Sequence, residues 1–293
     1  MPHRSQNLPR RRFLARTAAG LTAGFAAPAI VRAEQAQWGD LTGRFLYDGD
    51  PPERKKLKVD KDPQYTAKLD IRDESLMVGP DHGLANVYVY LRGSKASVCP
   101  ELEAAAPRQV VLDNRDWIFR PHCMKIWCPR QQCLIVNSDP VAQNVAFTPL
   151  GDVPANIVMP VGAKATYRFT RSQSRPVPIA CNYHPWERAY ILPRASPYVA
   201  ISAADGTFAI PKLPVGQWQF QTWHERTEHF NSPRWPKGCF SFTIRPGRND
   251  LGTIKISPAL LTSQQFPAEN CFGPWPARRE QLGRCHGGLA GRT

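Results

Sequence analysis

Proline governs what this chain can build. It occupies 29 of the 293 positions, about twice ordinary usage. The ring fixes φ and removes a backbone donor, so it is kept out of helix interiors and central strand positions. A helix bundle, a coiled coil and a doubly wound α/β enzyme all fit that density poorly. Short strands joined by loops fit it well, and the expected class is all-β. The length allows one or two domains, each able to bury a core.

The formal net charge is +14, from 38 Lys and Arg against 24 Asp and Glu. Six of the arginines (Arg4, Arg10, Arg11, Arg12, Arg16 and Arg32) fall within residues 1–33, which hold no acid, and without them the charge is +8. The remainder is scattered, apart from a cluster at 54–58 and a basic tail. There is no zinc-finger spacing and no aromatic RNA-binding signature, so nucleic acid is not an expected partner.

The first 33 residues read as a cleavable export signal. Arg10-Arg11-Arg12-Phe13-Leu14 precedes a weakly apolar run over 17–31, which ends in small residues at Val31-Arg32-Ala33. That is a basic region, an apolar region and an Ala-x-Ala-like end. The Arg-Arg-x-Phe-Leu core resembles a twin-arginine signal. An ordinary secretory signal or an uncleaved basic anchor are the alternatives. The run is too short and too rich in Ala and Gly to span a bilayer, and no second long apolar run follows. The expected location is periplasmic or secreted, in a form that does not span the membrane. All eight cysteines follow the signal, in a compartment where disulfides survive. Cys128 and Cys133 flank a turn at 129–132, and Cys271 and Cys285 bracket the tail. Either pair suits a bridge, although spacing does not fix connectivity.

Short alternating runs dominate the rest. Strands are expected at 41–47, 85–91, 110–112, 118–127, 133–137, 165–170 and 177–180. A second series is expected at 198–201, 207–210, 217–223, 240–244 and 253–256. The runs 118–127 and 133–137 read as a hairpin, 54–84 as a charged loop, and 257–293 as an irregular tail. In 85–91, Val87, Val89 and Leu91 share one face while Tyr88 and Tyr90 share the other.

Two resemblances emerge. Gly43-Arg44-Phe45-Leu46-Tyr47-Asp48 and Leu84-Ala85-Asn86-Val87-Tyr88-Val89 resemble the opening half of a carboxypeptidase regulatory-like, prealbumin-type β-sandwich. Asp205-Gly206-Thr207-Phe208-Ala209-Ile210 and Leu213-Pro214-Val215-Gly216 resemble its closing half. Asp-Gly supplies the positive-φ turn that such a strand pair needs. The residues between resemble a cupredoxin: Phe119-Arg120-Pro121, Asn137-Ser138-Asp139, Met159-Pro160-Val161-Gly162 and Cys181-Asn182-Tyr183-His184-Pro185-Trp186-Glu187. Together, residues 37–256 resemble exported bacterial cupredoxin-like proteins of the methylamine-utilisation-like type. The implied architecture is a Greek-key cupredoxin-like barrel (106–195) inserted in a prealbumin-type sandwich (37–100 and 196–256).

The resemblance implies a copper site and electron transfer with a redox partner protein in the envelope. A blue-copper site takes two imidazoles, one thiolate and a weak axial thioether. Cys181 and His184 stand at two of those positions. Gln143 stands where the pattern has the second His, and Glu187 where it has the Met. His122 is the candidate replacement imidazole, because the expected hairpin brings its strand near the same pole; hydrogen bonding to a loop carbonyl is the alternative. Cys181 also reads as a buried thiol or half of a disulfide, and His184 as a capped loop histidine. Trp186 and Tyr183 would cover the site. His224, in Trp223-His224-Glu225, reads as a loop histidine satisfied by its surroundings. No Gly-x-Ser-x-Gly, phosphate loop or His-Glu-x-x-His occurs, and no enzymatic activity is expected. The competing reading is a non-metal module that binds protein or glycan on the same scaffold.

Overall fold

The computed structural model describes residues 38–93 and 96–261. The expected export signal, Cys271, Cys285 and most of the tail lie outside the described residues. The first strands are β1 (Trp38–Tyr47) and β2 (Tyr88–Leu91). Next come β3 (Gln109–Arg115), β4 (Ile118–Arg120), β5 (Cys123–Trp127), β6 (Gln132–Asn137) and β7 (Gln143–Phe147). They are followed by β8 (Ala155–Met159), β9 (Lys164–Tyr167), β10 (Val177–Ala180) and β11 (Arg188–Arg194). The last are β12 (Val199–Ile201), β13 (Thr207–Pro214), β14 (Gly216–Trp223), β15 (Cys239–Ile244) and β16 (Gly247–Ile256). Helices among the described residues are single short turns such as Pro63–Thr66, so the protein is all-β.

The strands form four sheets. Two combine the start and the end of the described chain, in the orders β13-β1-β16 and β12-β2-β14-β15. They share one core that includes Leu41, Phe45, Val87, Val89, Phe220 and Ile244. The other two, β5-β11-β10-β7-β8 and β4-β3-β6-β9, are built from the middle of the chain. Their core includes Leu112, Phe119, Ile135, Phe147, Phe169 and Ile179. Each such side chain contributes roughly 1.5–3 kcal/mol on burial.

Alternation along β2 joins the two cores. Val87, Val89 and Leu91 face the first, while Tyr88 and Tyr90 pack with Cys123, Leu192, Val199 and Trp223 in a third cluster. A buried hydroxyl needs partners, and Tyr88 has them. Its oxygen accepts the Met124 N–H at 3.0 Å and donates to the Tyr190 carbonyl at 2.8 Å. The buried Arg194 adds a second link, donating to the Leu91 carbonyl at 2.8 Å and the Gln173 carbonyl at 2.7 Å. At the Asp205-Gly206 turn, Gly206 has φ of +83°. A Cβ there would lie 2.0 Å from the Phe45 carbonyl oxygen, so both the turn and the close strand approach require glycine.

Two expectations are corrected. The run 118–127 is not one arm of a hairpin. It is interrupted at Pro121-His122: β4 pairs antiparallel with β3, and β5 pairs parallel with β11 in the opposite sheet. β6 pairs with β3 and β9 instead. Pro121 has no N–H to continue a ladder, and the side chain of Gln131 supports the crossover. Its Oε1 accepts the Trp127 N–H at 2.8 Å, and its Nε2 donates to the Pro107 carbonyl at 2.9 Å. The expected Cys128–Cys133 bridge is also absent. All six described cysteines are free thiols, and both of these sulfurs sit in the apolar core, where burial pushes the Cys133 thiol up to about 12.

Residues 54–84 carry more local order than a charged loop suggests. Leu57 N–H donates to the Ile71 carbonyl, and Asp73 N–H to that of Lys55. The buried Thr66 hydroxyl donates to the Lys61 carbonyl at 2.7 Å. These bonds hold Asp62, whose φ is 49°, in a left-handed conformation that Asp tolerates.

Candidate metal centre

The centre forms where β10 ends. The chain turns through residues 181–187 and returns as β11. Cys181 N–H donates to the Glu187 carbonyl at 3.3 Å, and Glu187 N–H to that of His184 at 2.9 Å. This tight loop brings three side chains, spaced three residues apart, onto one point. A ligand atom from each of Cys181, His184 and Glu187 lies within 4.8 Å of the others, and all three residues are buried. Cys181 Sγ is 3.6 Å from His184 Nδ1, and Glu187 Oε1 is 3.3 Å from the same nitrogen.

Gln143 joins them because β7 pairs with β10 through Ala146 and Ala180. Its Oε1 lies 3.4 Å from Cys181 Sγ and 2.6 Å from His184 Nδ1. Its Nε2 donates to Asp139 Oδ2 at 2.9 Å, which leaves the oxygen facing the centre. The Asn137-Ser138-Asp139 motif sets this geometry. Asn137 Nδ2 donates to the carbonyls of Val141 and Met159 at 2.8 Å. Its Oδ1 accepts the Asp139 N–H at 3.0 Å. Burial raises the Asp139 carboxyl, aided by the charge of Glu187 and opposed by donors from Trp117 and Gln143.

Four of the five sequence candidates therefore meet: Cys181, His184, Gln143 and Glu187. His122 does not join them. β5 enters the opposite sheet from β6, and His122 Nε2 bonds to Glu225 Oε1 at 2.5 Å instead. His224 is fully enclosed, and burial lowers its pKa to about 3, with help from the nearby charges of His122 and Arg226.

Two further partners lie outside the expected set, one acceptor and one donor. Asp62 Oδ2 is 2.8 Å from His184 Nε2, and Asn114 Nδ2 donates to Glu187 Oε2 at 2.8 Å. No local spacing marks either one, since both contacts cross long stretches of chain. Indoles enclose His184. Trp117 meets it edge-on at 5.3 Å, and Trp186 is tilted at 5.1 Å. Trp186 Nε1 donates to the Trp117 carbonyl at 3.0 Å, whereas Tyr183 is exposed. Asp116 and Trp117 both have positive φ, as a two-residue turn between β3 and β4 requires. The cost of that conformation for a bulky residue is offset by the Asp139 carboxylate, which accepts the Trp117 N–H at 3.3 Å.

Burial alone would lower the His184 pKa. Hydrogen bonds to Cys181, Glu187 and Asp62, with the charge of Glu187, outweigh it and raise the value to about 10. Donors bound about 2.0–2.3 Å from one tetrahedral ion lie roughly 3.3–3.8 Å apart. The Cys181–Gln143, Cys181–His184 and His184–Glu187 separations of 3.4, 3.6 and 3.3 Å match this spacing. The 2.6 Å His184–Gln143 contact is a hydrogen bond that an ion would open by replacing the Nδ1 proton. Glu187 Oε1 is buried without a hydrogen-bond partner. A carboxylate oxygen buried without a hydrogen bond is costly, and a metal cation would satisfy it. The donor set fits a metal ion.

No family model matches the chain, and no curated protein matches it. Among solved structures, it is similar to a Cu-containing nitrite reductase from Thermus scotoductus SA-01. There the TM-score is 0.27 at 17% identity, over 30% of this chain and 23% of that one. It is also similar to amicyanin from Paracoccus versutus, with a TM-score of 0.27 and 17% identity over 36% of this chain and 97% of that one. The chain thus spans under a quarter of the nitrite reductase. No helix among the described residues is long and apolar enough to cross a membrane.

Proposed function

We propose that the chain is an exported cupredoxin-like protein in which Cys181, His184, Glu187 and Gln143 hold copper for electron transfer with an envelope partner. The observation that carries this reading is the convergence of donor atoms from Cys181, His184, Glu187 and Gln143, with Glu187 Oε1 buried and accepting no hydrogen bond. When bound, copper would supply one-electron exchange. Carboxylate and amide oxygens are hard donors and favour Cu(II) or Zn(II) over Cu(I), so a low potential is expected. The protein's own part is to orient and enclose. Asp62 fixes the His184 ring from behind, in the manner of carboxylates that back metal-binding imidazoles. Asn114 fixes Glu187, Asp139 turns Gln143, and Trp117 and Trp186 keep water from the ring. In the same reading, residues 106–195 are a domain inserted in a discontinuous sandwich of 37–100 and 196–256, and residues 1–33 direct export.

Metal analysis of protein exported with its own signal tests the proposal. Stoichiometric copper and a thiolate-to-copper charge-transfer band that Cys181→Ser abolishes would support it. A protein that does not bind copper stoichiometrically, zinc-only binding included, would overturn it. The second reading, a non-metal module for protein or glycan, draws on one observation. Both His184 nitrogens already have partners, Gln143 at 2.6 Å and Asp62 at 2.8 Å.

A further inference from the structure

A cavity of about 510 Å3 lies beside the metal centre and shares Pro185 and Trp186 with it. Its size falls within the range of about 300–1,000 Å3 that small-molecule sites occupy. The lining comes from well-separated parts of the chain: the 54–84 segment, His122 between β4 and β5, strands β10 and β11 with their connecting loop, and the end of β14 with the residues after it. Sites of this kind gather where separately built layers meet.

Two kinds of surface line it. Trp186, Tyr190 and Trp223 supply aromatic area, and Pro176 and Pro178 add apolar faces. Tyr190 lies 5.0 Å from Trp223 and 5.9 Å from the His122 ring, centroid to centroid. The second surface is polar, formed by Glu74, His122 and Glu225. Glu225 is bound to His122 Nε2 at 2.5 Å. Glu74 is different: its Oε2 only approaches His122 Nδ1 at 3.6 Å, beyond hydrogen-bond reach. Its carboxylate stands partly exposed at the cavity wall. An aromatic-lined space with a part-exposed carboxylate at its wall suits a planar ring bearing a hydrogen-bond donor.

Charge narrows the class further. Arg72, Arg175, Arg188 and Arg226 line the cavity together with Asp73, Glu74, Glu225 and Glu228, and Arg175 is already paired with Glu228 at 2.8 Å. The lining carries both signs, so neither a cationic nor an anionic ligand is favoured, and a neutral one meets no net opposing charge.

We infer that this cavity binds a neutral hydroxylated aromatic molecule, a phenol or hydroquinone, stacked among Trp186, Tyr190 and Trp223 and donating its hydroxyl to Glu74. The site does not depend on metal at Cys181.

Calorimetry with metal-free protein tests it, using hydroquinone as the probe and benzylamine and benzoate as charged comparators. One-to-one binding of hydroquinone in preference to both comparators is expected, with quenching of tryptophan fluorescence. Glu74→Gln should weaken binding by about tenfold, the worth of one charge-assisted hydrogen bond. Ser75→Phe, which places a ring in the cavity, should abolish it. Circular dichroism would show whether each variant is folded. Absence of saturable hydroquinone binding to the folded wild-type protein would overturn the inference. So would tighter binding of either comparator, or unchanged affinity in both folded variants.

Discussion

Asp62 stands 122 residues before His184, yet its Oδ2 lies 2.8 Å from the His184 Nε2. The carboxylate comes from a segment outside the four sheets and reaches a ring that is 1% exposed. It therefore fixes which ring nitrogen faces Cys181 and Glu187.

Removing this support should loosen the metal more than the fold. Asp62→Ala is expected to weaken copper retention by about 10- to 100-fold, the usual cost of losing a carboxylate behind a ligating imidazole. Asp62→Asn keeps an acceptor and should lose less. Competition against a chelator of known affinity measures both.

Gln143→His tests the donor set in the opposite direction. It places a second imidazole where Gln143 Oε1 now approaches Cys181 at 3.4 Å. A softer nitrogen donor suits Cu(I) better than an amide oxygen does. The copper-loaded variant should show a stronger thiolate-to-copper band and a higher reduction potential. An unchanged spectrum would place residue 143 outside the coordination shell.

Tyr88→Phe addresses the junction of the two cores. The change leaves the Met124 N–H, now 3.0 Å from the Tyr88 hydroxyl, buried without that acceptor. A loss of roughly 1–3 kcal/mol is expected, the desolvation penalty of one such group. Denaturant unfolding with an unchanged slope would measure it.

His122 gives a pH dependence. Burial pulls its pKa down, but the charge and hydrogen bond of Glu225, with the charge of Glu74, raise it above 6.5. A folded value above the unfolded one means that the stabilisation is complete below pH 6.5. It is lost as pH rises through the folded value. The stability difference between wild type and His122→Gln should therefore shrink as pH rises above 6.5 through the folded value. Thermal unfolding at constant ionic strength reads it, and a difference that grows with pH would contradict the assignment.

The sequence by itself determined the all-β class, because proline and short alternating runs act locally and leave little room for helices. It also determined three of the four converging donors, since Cys181, His184 and Glu187 share one loop and their spacing is a local property. Gln143 was legible because it follows closely on the Asn137-Ser138-Asp139 motif, and its own bond to Asp139 spans only four residues. The tertiary structure decided the rest. Whether 118–127 continued as one hairpin arm depended on which sheet offered a partner, and β5 found β11. That choice carried His122 away from Cys181 to Glu225. The parts played by Asp62 and Asn114 rest on pairings 122 and 73 residues apart. A single carboxylate in a charged segment looks like any other until the fold places a buried imidazole beside it.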